Sequence, residues 1–239
     1  MFIDGIWVDS TSGATSDIFN PATGEILDSV PKGGREDVRI AVDVAKDRFE
    51  KWSSMSPIER SRLLFKISQG VSVNIEELAK TLTMEQGKPL SEARGEVNGF
   101  VGCLEYYAGL TGRFRGAQTP FSSGEGYSIV TKRPLGVVGA IVPWNFPVSL
   151  LGWKLAPGLA AGNTFVVKPA SSTPLTDLKL VAVMTQAGLP AGVVNVVAGP
   201  GSVVGEELLD NPEVSKIAFT VRQGRERESW RGARSPSKE

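Results

Sequence analysis

Lys168 closes the apolar run Thr164-Phe165-Val166-Val167 immediately before Pro169. A lysine there places an ammonium at the carboxyl end of a strand, where it could donate to hydroxyl or phosphate oxygens; the plain alternative is a strand-end lysine reaching solvent. Asn145 stands between Trp144 and Phe146, with Pro143 and Pro147 outside them. In so apolar a stretch its carboxamide is expected to be buried and to need partners. Its NH₂ would serve a developing oxyanion, and equally would cap a turn. Gly199-Pro200-Gly201, with Gly205 one helical turn on, could bring backbone amides against an anion at a helix N-terminus. The spacing is not G-x-G-x-x-G, and no acidic residue ends the following strand to hold a ribose, so taken alone it reads equally as a tight turn.

The chemistry that is missing narrows the field. There is no histidine, which excludes imidazole acid–base catalysis, Ser-His-Asp hydrolysis and histidine-ligated zinc. The one cysteine, Cys103, excludes an internal disulfide and suits a reducing compartment, so a cytoplasmic location is the expectation. Lying among Phe100, Val101 and Tyr106, it reads as a small core hydrophobe rather than a nucleophile. The 26 basic and 26 acidic residues cancel, so no nucleic acid or anionic lipid partner is expected, only small molecules or other subunits. The start lacks a basic segment followed by an apolar run, and 135–167 is broken by prolines, glycines and asparagines into pieces too short to span a membrane.

These residues need elements to position them. Phe2 to Val8 alternates about Gly5 as a short hairpin, and Asn20-Pro21-Ala22-Thr23-Gly24 reads as a turn between two strands. From Arg35 the period becomes helical through Val38, Val42, Ala45, Phe49 and Trp52; Ser56-Pro57 opens a second helix and Asn74 a third that closes at Gly87. A fourth runs from about Leu90 to Leu110. Residues 116–126 read as a polar connection, and Tyr127–Lys132 as a strand that leaves the body. Beyond Pro134 the pattern is parallel α/β: strands 137–142, 164–168, 193–197 and 215–219, separated by helices 148–160, 175–187 and 203–209. Such a sheet is covered on both faces and binds ligands at its strands' carboxyl ends. That rule singles out 143–145, 168–171, 199–205 and Thr220.

The stretch from Pro134 to Thr220, with Pro143-Trp144-Asn145-Phe146-Pro147, Leu155-Ala156-Pro157-Gly158, Lys168-Pro169-Ala170-Ser171, Ala187-Gly188-Leu189-Pro190 and Lys216-Ile217-Ala218-Phe219-Thr220, resembles the NAD(P)-dependent aldehyde dehydrogenase family. Asn20-Pro21-Ala22-Thr23-Gly24 and Glu85-Gln86-Gly87-Lys88-Pro89 extend the resemblance toward the N-terminus. It implies a Rossmann-like parallel sheet with helices on both faces, preceded by a short β segment and a helical N-terminal region. The divisions would be 1–126, an oligomerisation-arm strand at 127–133, a dinucleotide-binding core at 134–220, and a tail at 221–239. The implied reaction oxidises an aldehyde to a carboxylic acid with NAD or NADP, through a cysteine thiohemiacetal, hydride transfer to nicotinamide and glutamate-assisted thioester hydrolysis. By the same resemblance Asn145 would be the oxyanion donor. Ile141, Pro143, Trp144 and Asn145 would lie along the cofactor, and Lys168, Pro169, Ala170 and Ser171 would hold the adenosine ribose. Gly201 and Gly205 would flank the adenine and pyrophosphate, and Phe219 and Thr220 would lead to the nicotinamide. Many NAD-preferring members carry a glutamate at the position of Ser171, so the serine implies tolerance of NADP, in a subgroup similar to succinate-semialdehyde dehydrogenases.

After Thr220 the chain departs from that pattern. Residues 221–239 hold Arg222, Arg225, Arg227, Arg231 and Arg234 without apolar periodicity and read as disordered. One inserted base after Thr220, with suitable codons, would turn the tail's first residues into a family-like continuation, so a frameshift is the expectation. Its three glutamates weigh against a basic RNA-binding tail. Neither the family's nucleophilic cysteine nor its glutamate base has a counterpart here, so the chain alone is expected to be inactive, with the apolar faces of 137–142 and 217–219 poorly covered. The alternative is a noncatalytic nucleotide-binding or oligomer-interaction fragment. A homo-oligomer is implied for the full-length family member.

Overall fold

The computed structural model describes residues 1–220; the tail expected to be disordered lies outside them. The chain opens with two short strand pairs, β1 (Phe2–Ile3) with β2 (Ile6–Trp7) and β3 (Thr15–Phe19) with β4 (Ile26–Pro31). Four helices follow: α1 (Arg35–Ser53), α2 (Pro57–Ser72), α3 (Ile75–Gln86) and α4 (Leu90–Leu110). Their boundaries have local causes. Ser56 Oγ accepts from the Glu59 amide while the Glu59 carboxylate accepts from the Ser56 amide, and Pro57 needs no amide partner in the first turn. Gly87 ends α3 at φ 85°, a conformation that glycine adopts without strain.

Residues 116–126, expected to be a plain connection, instead contain strand β5 (Ala117–Pro120), which pairs antiparallel with β6 (Tyr127–Val130). All eight residues of this hairpin are exposed. β6 falls within the strand expected at Tyr127–Lys132, whereas β5, Ala-Gln-Thr-Pro, carries no apolar alternation for periodicity to detect.

The α/β portion contains β7 (Val137–Ile141), α5 (Pro147–Ala161), β8 (Thr164–Lys168), α6 (Leu175–Gln186), β9 (Val194–Val196), a π-turn at Gly201–Gly205, α7 (Glu206–Asp210) and β10 (Val214–Phe219). The sheet order is β10-β7-β8-β9-β1-β2, so the N-terminal pair completes one edge through an antiparallel contact of Phe2 with Val196. The β10-β7-β8-β9 part is parallel. Gly139 lets β10 pack closely at its centre, since a Cβ there would meet Ile217 Cδ1 at 2.7 Å and that side chain would have to shift.

Apolar residues fill both faces, as a doubly covered parallel sheet demands. One cluster joins Phe100, Leu151, Leu155, Phe165 and Val181, and the other joins Val38, Ala41, Val42, Val166 and Leu208. The expected poor cover of 137–142 is not found: Val137, Val138, Ala140 and Val142 are all buried, because β8 and β10 flank β7 and helices close both faces. The two outer strands are incompletely covered: Phe219 of β10 is 39% exposed, and Ile6 and Trp7 of β2 are exposed.

Candidate cofactor-binding site

β7 and β8 run in parallel register from Val137 beside Thr164 to Ile141 beside Lys168. The Val142 amide donates to Lys168 O at 3.0 Å, which locks the two strand ends together. Lys168 does not reach solvent. It is 5% exposed, and its Nζ donates to Pro169 O at 2.6 Å. Burial lowers its pKa to about 8, with the Asp177 carboxylate opposing that shift. Two glycines face its stem: a Cβ on Gly201 would sit 3.9 Å from Lys168 Cε, and one on Gly205 would sit 3.8 Å from Lys168 Cδ and 3.9 Å from Ile141 Cδ1. The structure therefore brings Ile141, Lys168, Gly201 and Gly205 to one rim. Pro169 and Ala170 lead from it to Ser171, which is exposed and donates through Oγ to Gly199 O at 3.1 Å.

The Asn145 loop leaves the same sheet edge but is built differently. Asn145 is exposed, as are Trp144 and Phe146, which corrects the expected burial. The apolar neighbours do not enclose it, because the chain turns into α5 at once and burial begins only at Pro147 and Val148. What is fixed is its backbone: Asn145 O accepts from Gln86 Nε2 at 2.9 Å and from Lys88 Nζ at 3.1 Å. Its carboxamide makes no hydrogen bond to Ile141, Lys168, Gly201 or Gly205 among the described residues. Pro143 is half-buried ahead of the loop. Phe219 lies beside Ile141 in the sheet register, and Thr220 Oγ1 accepts from Lys154 Nζ on α5.

Sequence reasoning missed the residues that anchor this loop. Lys88 is ion-paired with Glu96, both buried, and lies 4.4 Å from the Phe146 ring centroid. Glu96 Oε1 accepts from the Ser149 amide at 3.0 Å. A signal was present: Ala93, Glu96, Val97 and Phe100 share one helical face, so Glu96 is a charge at a core-facing position. Deeper still, Glu85 accepts from the amides of Leu175 and Thr176 at the start of α6, and desolvation raises its pKa to about 7. Asp177 is wholly buried and neither carboxylate oxygen has a partner among the described residues; burial, reinforced by Glu85 and Glu96, pushes its pKa well up.

Cys103 on α4 packs against α5, with Sγ 3.5 Å from Gly152 O, and burial pushes its thiol up. That is the setting of an inert core thiol. Among the described residues no cluster of His, Cys, Asp and Glu could hold a metal ion, and no helix is long and apolar enough to cross a membrane. A dinucleotide fits what is present at the rim: glycines that leave space beside Lys168, an ammonium for ribose or phosphate oxygens, and a serine rather than a carboxylate at the exposed end.

A mainly parallel sheet with helices on both faces and a strand-end lysine facing a glycine turn is a Rossmann-like α/β architecture. The sequence pattern of the Aldehyde dehydrogenase family matches residues 7–225, and the chain belongs to that family. It is 42% identical over 218 residues to the succinate-semialdehyde dehydrogenase [NADP(+)] GabD of Escherichia coli (strain K12), a match covering 91% of this chain and 45% of that one. Against the betaine aldehyde dehydrogenase of Bacillus subtilis (strain 168) the identity is 40% over 222 residues, with 92% and 45% covered. The NAD+ complex of an aldehyde dehydrogenase from Bacillus cereus superposes with a TM-score of 0.93 at 36% identity, over 98% of this chain and 48% of that one. The chain thus spans about half the length of the relatives it matches.

Proposed function

We propose that residues 1–220 are the cofactor-holding portion of an aldehyde dehydrogenase that oxidises an aldehyde to a carboxylic acid with NAD or NADP. The convergence of Ile141, Lys168, Gly201 and Gly205 on one rim carries this reading, because it joins a cation to two positions without side chains at the strand ends where such sheets bind ligands. Lys168 holds the adenosine ribose oxygens, Pro169 to Ser171 line that end, and Pro143 and Trp144 lie along the nicotinamide half. The Asn145 carboxamide donates to the substrate carbonyl oxygen from a loop whose backbone is pinned by Gln86 and Lys88. Phe219 and Thr220 lead toward the nicotinamide. The bound dinucleotide supplies hydride acceptance.

The nucleophile is not Cys103, whose raised pKa and place between α4 and α5 keep it from the rim. It belongs to the half of the family's length that this chain does not span, so the chain alone has no turnover. A one-base frameshift after Thr220 accounts for the change of composition there, and DNA sequencing across that codon decides it. The full-length protein is read as a cytoplasmic homo-oligomer acting on a small aldehyde. A second reading, an oligomer-interaction fragment, is favoured by the fully exposed β5–β6 hairpin, which offers backbone edges to another subunit.

Calorimetric titration of NAD and NADP into the chain, with Lys168→Ala as control, tests the main reading. Saturable binding that the substitution weakens supports it, and absence of binding to the folded chain overturns it. Aldehyde-dependent NADPH formation by the purified chain would contradict the assignment of the nucleophile to the part of the family's length that this chain does not span.

A further inference from the structure

Gly201 and Gly205 leave room beside Lys168, but a turn without side chains at those points has little of its own to hold it in place. Its position must come from the segments on either side. Upstream, the backbone at 198–199 is stitched to the segment leading into α1: the Gly33 amide donates to Ala198 O at 2.7 Å, and a Cβ on Gly199 would meet Gly33 O at 2.7 Å. Downstream, the turn runs straight into α7, whose 5 residues are too few to make a stable helix unaided.

Two kinds of contact hold α7 to α1. Val204 and Leu208 are buried with Val38 and Val42, a nondirectional attraction that by itself sets no register. Glu207 supplies the register. It is 5% exposed, and its carboxylate accepts from Arg39 Nε at 2.9 Å and, through the other oxygen, from Arg35 Nη1 at 3.0 Å. Burial alone would raise the Glu207 pKa, yet the hydrogen bonds from Arg39 and Arg35 hold it below the usual carboxylate value, so both pairs persist at neutral pH.

We propose that Glu207, gripped by Arg35 and Arg39, is a positioning residue of the dinucleotide site: it sets the Gly201–Gly205 turn against Lys168 and thereby the room left for the cofactor. The inference rests on the reading of the rim as a dinucleotide site and adds the clamp that shapes it from a separate part of the fold. Glu207 acts through the turn, because its carboxylate is committed to the two guanidinium groups of α1.

The test is calorimetric titration of NAD and NADP into the wild-type chain, Glu207→Ala, Glu207→Gln and Glu213→Ala, with amide NMR of each free chain. Glu207→Ala should lose about tenfold in affinity for both dinucleotides alike, and should shift the Gly201 and Gly205 amides while leaving those of Val137–Ile141 in place. Glu207→Gln, which keeps one acceptor oxygen, should recover part of both. Glu213→Ala removes the 2.8 Å pair that α1 makes through Lys46, and should change neither. Should Glu207→Ala fail to fold, Arg39→Ala makes the same comparison, its side chain being half exposed. If the wild type binds dinucleotide and the variant keeps either its affinity or its two glycine signals, or if Glu213→Ala loses as much, the clamp is wrong and the rim stands. If the wild type binds neither dinucleotide, the rim reading fails and takes the clamp with it.

Discussion

Two pairs of buried opposite charges lie below the same sheet edge, and they are treated differently. Lys88 and Glu96 are in direct contact, and their remaining hydrogen-bonding capacity is used by Asn145 O and the Ser149 amide. Lys168 and Asp177 feel each other's field without contact: the ammonium is spent on Pro169 O, and both Asp177 oxygens lack partners. The first pair is complete and fixes a loop. The second is incomplete and leaves at the rim a lysine with a lowered pKa, still able to donate to a ligand. A closed network of buried charges builds position, whereas an open one keeps capacity for binding at a cost in stability.

The largest expected effect breaks the complete pair. Glu96→Ala strands the Lys88 ammonium in the interior and should destabilise the chain by about 3–5 kcal/mol in urea denaturation. Adding Lys88→Met should restore much of that loss, since no buried charge is then left unpaired. If Glu96→Ala were neutral, the distinction between the two pairs would fail.

Asp177→Asn should act in the opposite direction. A folded-state pKa raised above the unfolded value means that the native chain binds the proton more tightly, so the group's unfavourable contribution sets in as pH rises above the ordinary aspartate value of about 4. Glu85 adds to the same trend, its contribution being lost as pH rises from about 4.5 through about 7. Wild-type stability should therefore decline from pH 5 to pH 8. Asp177→Asn should flatten that decline and gain about 1–3 kcal/mol at pH 8. Denaturation curves at the two pH values check it, and an unchanged slope would show that Asp177 finds partners in solution.

Smaller effects sharpen the contrast. Gly201→Ala should change stability by no more than about 0.5 kcal/mol, because its Cβ would meet Lys168 at an ordinary distance, yet it should weaken dinucleotide binding in calorimetry. Dinucleotide affinity should also decline as pH rises through about 8, where Lys168 loses its proton. Cys103→Ala should leave dinucleotide affinity unaltered.

Much of the architecture was legible in the sequence, for reasons particular residues show. Val137–Ile141 and Thr164–Lys168 are β-branched runs bounded by Gly136, Pro143, Asn163 and Pro169, and Ser56-Pro57 and Gly87 mark helix ends by capping chemistry. The hairpin of β5 and β6 was half missed because β5, Ala-Gln-Thr-Pro, carries no apolar alternation. Asn145 was expected inside because its neighbours are apolar, but Trp144 and Phe146 are themselves exposed. Burial is a property of what packs above a segment, which local composition does not encode. Lys88 and Glu96 were overlooked for a related reason: they lie 8 residues apart, in a loop and a helix, and only the tertiary fold reveals that they meet.

Amide NMR of the ¹⁵N-labelled chain during NADP addition is the most direct measurement of the central claim. Shifts confined to Ile141, Lys168 to Ser171 and Gly199 to Gly205, and weakened in Lys168→Ala, are the predicted result. Shifts scattered over the helical N-terminal region, or none at saturating cofactor, would contradict it.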